Sequence, residues 1–113
     1  MVEERLRRMG LHVSRKEVKQ LTLGGGVTRE SRVSAYSGDG RIKIVYSEYS
    51  DGEKRLSILL TGSMATRDRE ATATRLGGRV DFDEKERLYA VFKPRDKRRA
   101  EEIIDEMLRG AST

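Results

Sequence analysis

The chain has 113 residues, enough for one domain that buries roughly two-thirds of its unfolded surface and holds a core without staples. It has no cysteine and a single histidine, His12, which excludes disulfides, thiolate zinc sites and two-histidine chemistry. Charged residues make up 38% of it and the formal net charge is +5, which favours an anionic partner, nucleic acid being the commonest for a basic domain.

In chain order, Val2 to Met9 reads as a short helix with Val2, Leu6 and Met9 on one side and Gly10 as its stop. The acids at Glu3 and Glu4 give no signal-peptide pattern, and the longest apolar stretch, Leu56 to Leu60, is far short of the roughly 20 residues of a membrane span. A cytoplasmic protein without a membrane segment is expected. Ser14-Arg15-Lys16-Glu17 has the form of a capping box and predicts a second helix, with Val18, Leu21 and Thr22 inward and the flexible run Gly24-Gly25-Gly26 at its end.

Three strands are predicted next, Ser31 to Tyr36, Arg41 to Tyr49 and Lys54 to Thr61, joined by Ser37-Gly38-Asp39-Gly40 and by the hairpin signal Asp51-Gly52. Alternation puts Val33, Ala35, Ile42, Ile44, Tyr46, Leu56, Ile58 and Leu60 on one face, under helices. The other face receives Arg32, Ser34, Tyr36, Arg41, Lys43, Val45, Tyr49, Arg55, Ser57 and Leu59. Ser63 or Thr66 caps a further helix that runs to Leu76, with an inner stripe of Met64, Ala65, Ala71, Thr72 and Leu76. A second hairpin, Arg79 to Asp83 and Arg87 to Lys93, directs Val80, Phe82, Leu88, Ala90 and Phe92 to the core. Pro94 stops it, and Asp96 to Arg109 forms the last helix on Ala100, Ile103, Ile104, Met107 and Leu108. The order ααβββαββα, without linker or repeat, predicts a single α+β domain over residues 1–113, its antiparallel sheet covered by helices on one face and open on a basic, aromatic face.

No motif offers a nucleophile or acid-base pair in a defined pocket, so a non-enzymatic protein without cofactor or metal is expected. The triple glycine lacks a following Lys-Ser or Lys-Thr and does not follow a strand, so neither a phosphate-binding loop nor a dinucleotide fingerprint is present. Asp81, Asp83, Glu84 and Glu86 cluster at one turn, but Lys85 and Arg87 interrupt them and the spacing matches no calcium loop.

The open sheet face is the informative constellation. Single strands bind where cations track phosphates and rings stack on bases; Tyr36, Tyr49 and Tyr89 supply rings, while Arg32, Arg41, Lys43, Arg55, Arg87 and Lys93 supply charge. The alternatives are cross-strand pairing of tyrosines that suit strands anyway, and assembly through an apolar strip of Val45, Leu59 and Val91. Two further basic groups stand out. Lys93, Arg95, Lys97, Arg98 and Arg99 surround the start of the last helix, where pairing with Glu102, Asp105 or Glu106 competes with anion binding. Arg5, Arg7, Arg8, Arg15, Lys16 and Lys19 have only the outline of a helix-turn-helix.

The layout from Val2 to Gly110, the Arg-rich composition with no Asn and only Gln20, and the face around Tyr36, Arg41, Lys43 and Tyr49 resemble the short relatives of ThermoDBP, single-stranded DNA-binding proteins of hyperthermophilic archaea. The resemblance implies helices joined to an antiparallel sheet and a cleft with aromatic walls and basic flanks that takes up single-stranded DNA. The zipper-like carboxy-terminal extension of the longer members has no counterpart here. The expected function is sequence-tolerant single-stranded DNA binding by a homo-oligomer, dimer or tetramer, through Arg32, Tyr36, Arg41, Lys43, Tyr49, Arg55, Tyr89 and Lys93. The alternatives are an RNA-binding module, or a protein-interaction subunit that uses the same face.

Overall fold

The computed structural model describes residues 2–21, 23–61 and 66–109. Along the chain it has α1 (Val2–Arg8), β1 (His12–Leu21), β2 (Val27–Tyr36), β3 (Lys43–Tyr49), β4 (Lys54–Leu59), α2 (Arg67–Arg75), β5 (Arg79–Phe82), β6 (Leu88–Phe92) and α3 (Lys97–Leu108). The six strands form one antiparallel sheet in the order β1-β2-β3-β4-β6-β5, which makes the chain a single α+β domain.

One element departs from the expected order. The segment predicted as a second helix from Ser14 is the ten-residue strand β1, paired with β2 from His12 opposite Tyr36 to Leu21 opposite Val27. The capping-box pattern is a local signal worth about 1 kcal/mol, whereas a ten-rung ladder satisfies backbone groups on both strands at once. The glycine run is accordingly the turn of this hairpin, with Gly25 at φ 82°, and β2 begins at Val27 rather than Ser31. At the β3–β4 turn Gly52 takes φ 93°, a left-handed conformation that the Asp-Gly pair accommodates without strain.

The inward alternation holds. Val33, Ala35, Ile44, Tyr46, Leu56, Ile58 and Leu60 are buried together with Val2 and Leu6 of α1, Ala73 of α2, Ala90 and Phe92 of β6, and Ala100, Ile103, Ile104 and Met107 of α3; Ile42 packs at the margin. Arg5 of α1 is bonded to Asp105 of α3, and Arg69 of α2 donates to the Met107 carbonyl at 2.7 Å and to that of Arg109, so the three helices are tied over one sheet face. Thr66 caps α2, and Asp96 caps α3 by accepting from the Arg99 amide at 2.8 Å. Some inward assignments change. Val18 and Leu21 lie on the edge strand β1 outside the core, Leu21 being 85% exposed. Met9 is 40% exposed, because the chain turns away at Gly10. Ala73, not Ala71, is the buried alanine of α2, two residues further along the helix. Phe82 is 67% exposed, since it ends the four-residue edge strand β5 where no helix covers it. Thr22, Ser63, Met64, Ala65 and Gly110 lie outside the described residues.

Candidate nucleic-acid interface

Strand register turns the open face into a groove that crosses the strands. Ser14, Ser34, Val45, Ser57 and Val91 stand side by side on β1, β2, β3, β4 and β6, a transverse row of short side chains. One row away on one side are His12, Tyr36 and Lys43, then Leu59, Tyr89 and Asp81. One row away on the other are Lys16, Arg32, Ser47 and Arg55, with Val18, Glu30 and Tyr49 beyond them. Short residues flanked by long ones leave a concavity of about 490 Å³ on this face.

Five of the eight expected site residues line that concavity together: Arg32, Lys43, Tyr49, Arg55 and Tyr89. Tyr36 stands at its margin, half exposed, its ring centroid 5.3 Å from that of His12. Arg41 lies in the turn before β3, where its guanidinium is 3.8 Å from Asp39 and its carbonyl accepts from the Thr61 hydroxyl at 2.7 Å. Lys93 follows β6, 3.6 Å from Glu53, and lines a separate cleft with Pro94, Arg95 and Arg99. The last two are thus removed from the groove.

The groove is less basic than alternation from Ser31 onward suggests. Three cations line it, Arg32, Lys43 and Arg55, and so do three carboxylates, Glu30, Asp81 and Asp83. Glu30 is 1% exposed and is the acceptor at the centre of a cluster. Arg32 donates to both of its oxygens, at 2.8 and 3.0 Å, and the Ser47 hydroxyl donates at 2.6 Å. The Arg32 guanidinium holds the Glu30 carboxyl below the usual carboxylate range against the opposing effect of burial, and Ser47 adds to it. The same pairing raises Arg32. Arg55 donates to Glu53 at 3.1 Å and lies over the Tyr49 ring, 5.2 Å from its centroid; Arg87 lies 5.9 Å from the centroid of Tyr89. Burial raises the Tyr89 phenol, which stays protonated and able to donate. Lys43 enters no ion pair among the described residues.

The apolar strip is also altered. Leu59 is buried, and Val45 and Val91 are half-buried, so no broad aliphatic surface is exposed there. At the β5–β6 turn, Asp83 accepts from the amides of Lys85 and Arg87 and from the Arg87 guanidinium, which occupies its oxygens with turn-stabilising bonds. No group of three or more His, Asp or Glu residues placed to hold a metal occurs among the described residues. The cations at the start of α3 are engaged: Arg95 with Asp96, Lys97 with Glu48, and Arg98 and Arg99 with Glu102. The helix-turn-helix outline disappears with the conversion of its second helix into β1.

No family model matches the chain, and neither a curated protein nor a solved structure does.

Proposed function

We propose that the chain binds single-stranded nucleic acid, DNA in preference to RNA, laid across the sheet strands in this groove. The supporting observation is the row of short side chains between a cation row, Lys16, Arg32 and Arg55, and a row with Tyr36, Lys43 and Tyr89. The two rows are four residues apart along a strand, about 13 Å. That width suits one strand and excludes a duplex, which is wider than its own roughly 12 Å major groove. In this reading phosphates follow Lys16, Arg32 and Arg55, while bases stack on the tyrosines, each stack contributing roughly 1–3 kcal/mol. The role proposed is binding rather than catalysis.

Because three carboxylates share the groove, stacking carries more of the affinity than phosphate contacts do. With two or three phosphates neutralised, the logarithm of the binding constant falls with that of salt concentration at a slope of roughly −1.4 to −2.1. A titration with labelled oligothymidine at two salt concentrations, with oligouridine and duplex DNA as competitors, tests this. Absence of binding at low salt removes the proposal, and an oligouridine preference moves it to RNA and contacts with the 2′-hydroxyl. The equal numbers of cations and carboxylates favour one second reading, a protein partner with a mixed-charge surface. Under it, Tyr49→Ala abolishes partner binding and oligothymidine is not bound by either form.

A further inference from the structure

The two edges of the sheet differ. β5 is a four-residue edge, short enough to resist pairing, whereas β1 is a ten-residue edge without proline or glycine; α1 reaches it through Glu3, 2.7 Å from Arg15, but no strand among the described residues pairs with its outer side. Edges left open in this way template a further strand unless charged side chains guard them. The charges on β1 are of both signs, in the order Arg15, Lys16, Glu17, Lys19.

We propose that two copies of this chain pair through β1, antiparallel, about a two-fold axis at Lys16. An axis normal to the sheet keeps the open faces of both copies on the same side, so opposed residues must have the same parity, and one residue lies opposite itself. With the axis at Arg15 or Glu17, charges of one sign meet on it and no opposite-charge pair forms beside it; with the axis at Val18, Glu17 opposes Lys19 but the exposed Leu21 opposes Arg15. With the axis at Lys16, Arg15 of each copy, which in its own chain is 2.7 Å from Glu3 and 3.7 Å from Glu17, also opposes Glu17 of the other on the helix side. The same register sets Leu21, 85% exposed, opposite the buried Leu11 of the other copy, and carries Leu23, 111% exposed, toward its Met9. These exposed aliphatics thereby gain apolar neighbours. The unfavourable contact is Lys16 against Lys16, between two exposed and flexible side chains on the open face. The pairing joins the cation rows of the two copies into one line across eight strands, β1 to β4 of each, through Lys16 and Arg32. It does not depend on the nucleic-acid reading, and its test needs no nucleic acid.

The absence of native cysteine makes single introduced cysteines clean reporters. Lys16→Cys places two thiols opposite each other on the axis, whereas Ser14→Cys places them four residues apart, about 13 Å, beyond the roughly 7 Å Cα limit of a disulfide. Both positions are exposed, and circular dichroism verifies that each variant folds. After mild oxidation of the full chain, Lys16→Cys is expected to run as a covalent dimer on a non-reducing gel and Ser14→Cys as a monomer. In sedimentation equilibrium, Glu17→Arg is expected to weaken dimerisation at least tenfold. A monomeric Lys16→Cys, equal cross-linking by Ser14→Cys, or an unchanged dissociation constant for Glu17→Arg overturns the proposal.

Discussion

Replacing Glu30 by Gln keeps the size of the side chain and removes the charge that organises the groove. Arg32 then faces an amide that accepts at one atom and opposes it with a donor at the other, and the Ser47 hydroxyl competes for the remaining oxygen. Hydrogen bonds to a charged group contribute about 1.5–3 kcal/mol each. The Arg32 side chain is 38% exposed and rehydrates when released, so the sum is discounted for solvent screening to about 2–3 kcal/mol in total. For a domain of this size that is a fall in Tm on the order of 10 °C.

The pH dependence has a definite sign. The carboxyl is held below its ordinary value of 4.5 in the folded chain, so its stabilisation is fully present above that value and is lost as pH falls through the lower, folded one. The amide of the Glu30→Gln variant does not titrate there, and the stability gap between the two proteins should close in acid. Urea and thermal melts followed by circular dichroism at pH 7 and near pH 3 measure both quantities. A gap under about 0.5 kcal/mol at pH 7, the ordinary range of a surface substitution, or a gap that does not change with pH, refutes this account of Glu30. Removal of the Glu30 charge from the groove should also strengthen oligothymidine binding.

Tyr49→Ala and Tyr89→Ala should each weaken oligothymidine binding by roughly 1–3 kcal/mol in a fluorescence titration, with stability changed far less than by Glu30→Gln. Gly78→Ala should destabilise the domain by about 1–3 kcal/mol in a denaturant melt, because an added Cβ would lie 2.4 Å from the ring of the buried Phe92 and 2.9 Å from the Val91 carbonyl. Asp96→Ala removes the cap of α3 and should cost about 1 kcal/mol by the same assay.

What the sequence makes legible follows from how local each signal is. The alternation in Val33–Tyr36, Ile42–Tyr46 and Leu56–Leu60, the Asp-Gly turn and the Thr66 and Asp96 caps all act within a few residues, and the corresponding elements appear where expected. β1 is hidden because Val18 and Leu21 are spaced as on a helix while its partner strand lies beyond the glycine turn. That has a consequence for the site. With a second strand that starts at Ser31, Glu30 falls outside the alternation, although its parity with Arg32 and Ser34 places it in the groove. Asp81 and Asp83 read as turn acids, and only the pairing of β5 with β6 brings them beside Tyr89. Arg41 and Lys93 are suggested by charge near a strand end, where a side chain is free to leave the face and does so.

The groove of short side chains between two rows of rings and cations is proposed to take one strand of nucleic acid. The most direct measurement of this is the affinity of the full chain for labelled oligothymidine against a duplex of equal length at low and moderate salt. A clear single-strand preference is expected, persisting with a shallow salt slope of roughly −1.4 to −2.1. Equal affinity for the duplex, or no binding of either at low salt, contradicts it.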